Sequence, residues 1–190
     1  PQNSSDQNLF SSIFSAIGLE TVSGVTREID LLVIQETDPT SLFLLESALD
    51  SLYSQNYSRS IGINSSGDYF GFLYNSDSLS LLETENVSGN YTRDPYRGLF
   101  RPTGAATDTA DFHVFNVHLN ASSASTRQTE ANGIRAELNA LGNNENYFVI
   151  GDLNIDRSTE SSYQILTGAG SGQVLDPINA PGNWHNNSSF

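Results

Sequence analysis

The sequence predicts a four-layer α/β/β/α sandwich, in which two packed mixed β-sheets lie between outer layers of helices. Segments with helical periodicity alternate with short apolar strands along the 190 residues. A run of short strands in the middle, separated by turn signals, argues against a single doubly wound parallel sheet. The length fits one domain that can bury a hydrophobic core, so we take residues 1–190 as a single domain.

The first part of the chain combines two predicted helices with a buried strand. Apolar side chains recur at helical spacing in residues 5–17. The apolar run 29–35 has the length and composition of a strand that is buried on both faces. Asp38 and Pro39 then provide an N-cap and a first-turn proline for a helix that extends to about Tyr53.

Short strands dominate the middle of the chain, and two further helices follow. Turn signals such as Asn64-Ser65-Ser66-Gly67 separate the strands. We expect Ser125 to cap a helix that reaches about Leu141, and a shorter helix from about Thr159 to Leu166. The predicted strands are Tyr57–Ile63, Tyr69–Tyr74, Leu79–Glu83, Tyr96–Phe100, Phe112–His118 and Tyr147–Ile150, and residues 177–190 are predicted to be loop.

The composition is strongly acidic and contains no cysteine. Eight Lys+Arg residues, all of them arginine, stand against 22 Asp+Glu, which gives a net charge of -14. Without cysteine, a disulfide scaffold, a cysteine nucleophile and a thiolate metal site are excluded. The charge disfavours non-specific adhesion to nucleic acid, so a phosphodiester substrate would need metal ions and a few local arginines. No apolar run of about 18 residues predicts a membrane span.

Three predicted strands end in polar side chains that suit metal-assisted hydrolysis. Glu36 follows the first strand, His118 ends the strand from Phe112, and Asp152 and Asn154 follow the strand from Tyr147. The carboxyl ends of strands in α/β sheets are where ligand sites collect. Two carboxylates, an amide oxygen and an imidazole suit Mg²⁺ together with a general base or a group that stabilises the transition state.

Each of these residues also has a purely structural interpretation. Glu36 could simply end a strand, and His118 could be a hydrogen-bonded core histidine. Asp152 and Asn154 could form an Asx turn, which both residue types favour. The joint pattern favours the functional interpretation, because three separate strand ends would otherwise carry these residue types by accident.

The same segments resemble the metal and catalytic signatures of the endonuclease/exonuclease/phosphatase superfamily, in the order and rough spacing of that family. An acidic residue before a strand, and an Arg-acid-Pro element similar to that of pancreatic-type deoxyribonucleases, add to the resemblance. It covers about residues 29–190, and its segments are Ile29–Glu36 (IDLLVIQE), Asp68 before Tyr69–Tyr74, Arg93-Asp94-Pro95, Asn116–Leu119 (NVHL), Ile150–Asn154 (IGDLN) and the tail Asn179–Phe190, which is similar to a loop in secreted bacterial members.

The resemblance implies a Mg²⁺-dependent phosphodiester hydrolase, most simply a secreted endonuclease for DNA or RNA, with Mn²⁺ or Ca²⁺ as alternative ions. Glu36, Asp152 and Asn154 would ligate the metal. Asp152 and Asn154 would also orient the attacking water and contact the scissile phosphate. His118 would contact the phosphate as an acid or an electrostatic stabiliser.

Two further residues receive roles from the resemblance. Asp68 would accept the second ring N–H of His118 and fix its tautomer. Arg93 would pair with a phosphate oxygen through its planar fork. A surface ion pair of Arg93 with Asp94 or a neighbouring acid is an equally weighted alternative. We expect Asp111 and His113 to be surface groups.

The sequence departs from the family pattern at both ends. Family members usually begin with a strand that carries an asparagine near the metal. They end with a strand carrying an aspartate and with a Ser-Asp-His element whose histidine is the general base. Because the 190 residues contain neither part, we expect an incomplete domain, lacking the usual first strand and the C-terminal part, with unpaired sheet edges and little or no activity by itself.

Two other functions stay open at this stage. One is a phosphoesterase for a lipid head group or a small phosphorylated molecule, because a fold does not decide the substrate. The other is a non-catalytic or inactive fragment. Composition and resemblance favour an extracellular or periplasmic bacterial location, and nothing in the sequence indicates an obligate protein partner.

Overall fold

A computed structural model describes residues 4–142 and 144–185. Within these ranges the chain alternates helices and strands, as its periodicity predicts. The helices are α1 (Ser4–Leu19), α2 (Pro39–Tyr53), α3 (Ala124–Leu141) and α4 (Ser161–Thr167), with a short 3-10 turn at Asp108–Ala110. The strands are β1 (Thr21–Val22), β2 (Val25–Thr26), β3 (Leu31–Thr37), β4 (Tyr57–Ile63), β5 (Tyr69–Asn75), β6 (Leu79–Asn86), β7 (Tyr96–Pro102), β8 (Phe112–His118) and β9 (Asn146–Asp152).

The strands form two main sheets and one small hairpin. The first sheet has the order β3-β5-β4 and is antiparallel throughout, whereas mixed pairing was expected in both sheets. The second sheet has the order β6-β7-β8-β9 and is mixed, because β8 and β9 run parallel. The helix α3 connects these two parallel strands, as a parallel pair requires a crossover.

Three hydrophobic clusters hold the sheets and helices together in four layers. One cluster packs α1 and α2 on the outer face of the first sheet, and another packs α3 and α4 on the outer face of the second. Between the sheets, the ring of Phe72 stacks on Tyr96 and meets Phe100 edge to face. Each fully buried side chain of this size contributes about 1.5–3 kcal/mol to the hydrophobic free energy. The predicted four-layer architecture is confirmed.

Several local predictions differ from the structure. The hairpin β1–β2, turning at Ser23 and Gly24, was not predicted. The cap of α3 is Ser123, whose hydroxyl accepts the backbone N–H of Thr126, so the choice of Ser125 was wrong. The strand β3 lies two residues later than predicted and is half-buried rather than buried on both faces, because it is an edge strand of the first sheet.

Two polar residues at or just before the start of β8 are buried, although we expected surface groups. Asp111 is buried and receives two hydrogen bonds of 2.6 Å from the Arg101 guanidinium. His113 is buried on β8, with its Nε2 3.7 Å from the Glu145 carboxylate. Trp184 has a structural role, because its indole N–H donates to the carbonyl of residue 180 and its ring packs against a tyrosine of α4.

Among the strands that the structure describes, β9 forms an open edge of the second sheet. Its Phe148 is 54% exposed although the ring lies edge to face against Phe112 of the neighbouring strand. Ile150 on the same strand and Leu175 and Ile178 beyond α4 are also exposed. Two cavities of about 680 and 730 Å³ border the strand. An exposed apolar edge of this kind is a surface to which another strand can pair.

Candidate active site

A bulge at the end of β3 turns Glu36 out of the strand. The register between β3 and β5 shifts between Ile34 and Thr37, and Glu36 has a φ of 50°. A non-glycine residue in this left-handed conformation costs roughly 1–2 kcal/mol. The bulge leaves the Glu36 side chain 71% exposed, with its carboxylate at the end of the sheet.

His118 lies between two carboxylates that come from different sheets. Its Nδ1 is 3.8 Å from Glu36 Oε1, and its Nε2 is 4.0 Å from Asp152 Oδ2. The imidazole is only 5% exposed, and its Nδ1 is buried with no hydrogen-bond partner among residues 4–142 and 144–185. The structure therefore brings together Glu36, His118 and Asp152 from strand ends that are far apart in the sequence.

Asp152 and Asn154 form a tight turn at the end of β9. The backbone N–H of Asn154 donates to Asp152 Oδ1 at 2.9 Å, and the side-chain amide of Asn154 donates to the carbonyl of Leu119 at 3.0 Å. Asn154 has a φ of 49°, which asparagine tolerates better than most residues. The Asx-turn interpretation is thus correct, and it leaves Asp152 57% exposed with its Oδ2 towards His118.

Asp68 and Arg93 form an ion pair with each other. Arg93 Nε donates to Asp68 Oδ2 at 2.9 Å, and Ser66 Oγ donates to the same carboxylate. These hydrogen bonds, Arg93 first, hold the pKa of Asp68 below its usual value, and His118 adds a smaller electrostatic contribution. In the described part of the chain no hydrogen bond joins Asp68 to His118. The predicted role of Asp68 as acceptor for His118 is therefore not seen in this structure.

A buried asparagine beneath the site was not assigned any role from the sequence. Asn116 accepts a hydrogen bond of 2.6 Å from Gln35 Nε2, and its own amide donates to the carbonyls of Ile34 and Gly71. It thereby joins β3 and β5 of one sheet to β8 of the other. The available signal was a polar residue at an inward position within the apolar run Phe115-Asn116-Val117.

Gly151 permits the close approach of β9 to β8 at the site. It has a φ of 143°, and a Cβ at this position would overlap the carbonyl oxygen of Val117. Only glycine fits here without moving the backbone. The sequence Gly151-Asp152 therefore sets both the spacing of the strands and the position of the carboxylate.

The donor set fits a hard divalent cation. In residues 4–142 and 144–185 no three His, Asp or Glu side chains converge into a ready ligand cluster. Mg²⁺ does not need one, because it is commonly bound by one or two carboxylates and keeps several water or phosphate oxygens. The exposed carboxylates of Glu36 and Asp152, each within 4.0 Å of a ring nitrogen of His118, satisfy this requirement.

Comparisons with known proteins agree with the fold and with the family suggested by the motifs. A family model described as Endonuclease/Exonuclease/phosphatase family matches residues 8–189. No curated protein matches the chain. The chain is similar in structure to an endonuclease/exonuclease/phosphatase from Bacteroides vulgatus, with a TM-score of 0.63 and 14% identity over 86% of this chain and 62% of that one.

Two further solved structures are similar over more than half of the chain. ANGEL2, a 2',3'-cyclic phosphatase in complex with adenosine-2',3'-vanadate, has a TM-score of 0.57 and 16% identity over 93% of this chain and 54% of that one. D. rerio TDP2 complexed with a single-strand DNA product has a TM-score of 0.51 and 14% identity over 68% of this chain and 49% of that one. At these identities the likeness is one of fold. The chain spans about three-fifths of the length of the Bacteroides protein.

Proposed function

Because the chain belongs to the Endonuclease/Exonuclease/phosphatase family, we propose that its residues form the greater part of a Mg²⁺-dependent phosphodiesterase active site, most simply that of a secreted endonuclease. Members of this family are hydrolytic enzymes that act on phosphodiester bonds. The observation that carries the proposal is the position of His118 between the Glu36 and Asp152 carboxylates.

Three residues would hold the metal in this proposal. Glu36 and Asp152 contribute charged oxygens, and Asn154 contributes its amide oxygen, since its amide nitrogen already donates to Leu119. When bound, Mg²⁺ would supply positive charge for the phosphate oxygens and favour deprotonation of water. Mn²⁺ and Ca²⁺ use similar oxygen ligands and are the alternatives to test.

The remaining residues act on the phosphate directly. His118, held by the buried end of β8, would donate a hydrogen bond or a positive charge to a phosphate oxygen in the transition state. Arg93 would offer a phosphate the N–H groups of its fork that Asp68 does not occupy, since Asp68 contacts only its Nε. Asp152 and Asn154 would orient the attacking water. Arg93 would therefore keep its ion pair with Asp68 while it contacts the phosphate.

Nucleic acid is the substrate class that the comparisons favour. TDP2 is described with a single-strand DNA product and ANGEL2 with an adenosine-2',3'-vanadate. The net charge of -14 supports the alternative of a lipid head group or a small phosphorylated molecule, because such substrates need no extended basic surface. No helix of the described ranges is long and apolar enough to cross a bilayer. An extracellular or periplasmic location remains part of the proposal.

The open edge at β9 bears on the activity of this chain. We propose that the exposed edge limits the activity of the 190-residue chain, since this chain covers only 62% of the matched Bacteroides structure and apolar side chains are exposed at β9.

The test uses the complete gene product that contains these residues. It is assayed on plasmid DNA, RNA, sphingomyelin and inositol phosphates, each with Mg²⁺ and with EDTA. Glu36→Gln and Asp152→Asn remove a carboxylate charge at constant size, and each should lower kcat by about a hundredfold or more. Glu20→Gln removes the same charge from an exposed loop position and should have no effect.

Three results would count against the proposal. Unchanged hydrolysis in either site variant would refute the site. Cleavage of lipid or inositol substrates alone would establish the alternative substrate class. Absence of hydrolysis for every substrate would favour a non-catalytic protein.

A further inference from the structure

Two charged side chains on α3 are almost fully buried and have no part in the proposed chemistry. Arg127 is 3% exposed and Glu130 is 1% exposed. Burying a charge costs several kcal/mol unless partners compensate for it. The hydrogen-bond partners of Arg127 and Glu130 therefore indicate what these two charges stabilise.

Glu130 connects two loops, one that carries Arg93 and one that follows His118 in the chain. Its Oε1 accepts the backbone N–H of Thr92 at 2.8 Å, and its Oε2 accepts the backbone N–H of Asn120 at 2.8 Å. Thr92 immediately precedes Arg93, and Asn120 lies two residues after His118. One carboxylate thus fixes the distance between the loops that present the two phosphate-contacting groups.

Additional contacts hold the same two loops on α3. The side-chain amide of Asn120 donates to Thr92 Oγ1 at 3.1 Å. Tyr91 packs against Gly133 of α3 so closely that a Cβ on this glycine would lie 2.7 Å from the tyrosine oxygen. A glycine in the middle of a helix costs about 1 kcal/mol relative to alanine. Here it makes room for the Tyr91 ring.

Arg127 holds the opposite side of the Asn120 loop. Its guanidinium donates to both oxygens of Glu160 at 2.6 and 2.8 Å and to the carbonyl of Asn120 at 2.9 Å. The hydrogen bond to Glu160 is the first cause that raises the pKa of Arg127, and the charges of nearby carboxylates add to it. The Asn120 loop is also held by the backbone bond from Leu119 to Asp152, so it has several independent supports.

We propose that Glu130 is a positioning residue that sets the place of Arg93 relative to His118 in the phosphate site. The expected effect on catalysis rests on the proposed function, whereas the expected effect on the position of the Thr92 loop does not. Glu130 holds the backbone directly next to Arg93, whereas His118 lies within β8 and the loop after it keeps Arg127 and β9 as supports. Loss of the carboxylate should therefore displace Arg93 rather than His118.

Glu130→Gln isolates this effect at constant size. A carboxylate accepts two N–H groups, one on each oxygen, whereas a glutamine amide turns an N–H donor towards one of them. The two tethers therefore cannot both survive. Arg93 would contact phosphate in the bound substrate as well as in the transition state, so KM should rise about tenfold while kcat changes less than about threefold.

A double-variant cycle separates positioning from general destabilisation. In an Arg93→Gln background, Glu130→Gln should cause no further rise in KM, because the group that it positions is already gone. Ile134→Val removes one buried methyl group from the same helix without touching the tethers, and it should leave KM unchanged. Additive effects of Glu130→Gln and Arg93→Gln would overturn the proposal.

A second measurement is independent of turnover. Amide hydrogen exchange in the 190-residue chain reports directly on the Thr92 and Asn120 N–H groups. Glu130→Gln should accelerate exchange at Thr92 at least about tenfold more than Ile134→Val does. Unchanged protection at Thr92 would overturn the inference. Absence of hydrolysis in the wild-type gene product, with accelerated exchange in the variant, would refute the proposed function and leave the positioning role in place.

Discussion

Asn116→Asp tests the junction between the two sheets beneath the site. The substitution replaces one amide N–H₂ by an oxygen and leaves the side-chain size nearly unchanged. In the wild-type protein this N–H₂ donates to the carbonyls of Ile34 and Gly71, at 2.9 and 3.2 Å. A protonated aspartic acid can replace one of these bonds, and an ionised one can replace neither.

The magnitude depends on pH because the buried carboxyl group resists ionisation. Loss of one hydrogen bond in the neutral form should cost about 1 kcal/mol. Burial without a positively charged partner raises the pKa of a carboxyl group by about 3 units or more above its unfolded value of about 3.9. The folded variant then binds a proton that the unfolded chain has released, so stability falls as pH rises, by about 1.4 kcal/mol per pH unit. At pH 7 the total loss should be about 4–5 kcal/mol.

Urea denaturation followed by circular dichroism at pH 5, 6 and 7 measures this dependence. The free energy of unfolding of Asn116→Asp, relative to that of the wild type, should decrease steadily from pH 5 to pH 7. Asn86→Asp adds the same charge at an exposed strand position and should show a small, nearly constant difference. A difference for Asn116→Asp that does not change with pH would refute the description of Asn116 as a buried donor between two carbonyl groups.

Three other substitutions probe the site and its support. Gly151→Ala forces a Cβ into the carbonyl of Val117 and should lower the free energy of unfolding by more than about 3 kcal/mol, measured by urea denaturation. Burial lowers the pKa of His113, so the contribution of its neutral ring to stability is present above about pH 6.5 and is lost as pH falls. The Tm should therefore fall less between pH 8 and pH 5 in His113→Phe than in the wild type. Arg93→Lys keeps the charge but loses both the Nε–H that contacts Asp68 and the fork offered to phosphate, and steady-state kinetics should show KM raised several-fold more than kcat is lowered.

The order of the elements could be predicted from the sequence because local signals specify it. Asp38 and Pro39 mark the start of α2, and the Asp38 carboxylate does accept the first backbone N–H groups of that helix. The boundaries of β4 and β8 were predicted to the residue, since turn residues or a change in periodicity enclose both. The choice between Ser123 and Ser125 as cap was open to error, because both are serines within one helical turn.

The convergence of the site could be predicted only through the joint pattern of strand ends. Glu36 Oε1 and Asp152 Oδ2 both lie within 4.0 Å of His118, yet the bulge that exposes Glu36 depends on pairing with β5, which no local signal shows. The burial of Arg127 and Glu130 was also missed. Their spacing from Ile134 places them on the inner face of α3, but charged residues at inward positions are usually taken as solvated.

The most direct test of the account is whether one divalent ion binds among residues that the chain brings together from three strand ends. Mn²⁺ in place of Mg²⁺ broadens the NMR signals of nearby nuclei, and the 190-residue chain can be titrated without any assay of turnover. We predict that Glu36, His118, Asp152 and Asn154 broaden together at the lowest concentration, that Mg²⁺ reverses the effect, and that Glu36→Gln weakens it about tenfold or more. Broadening that spreads evenly over the acidic surface, with no preference for these four residues, would contradict the account.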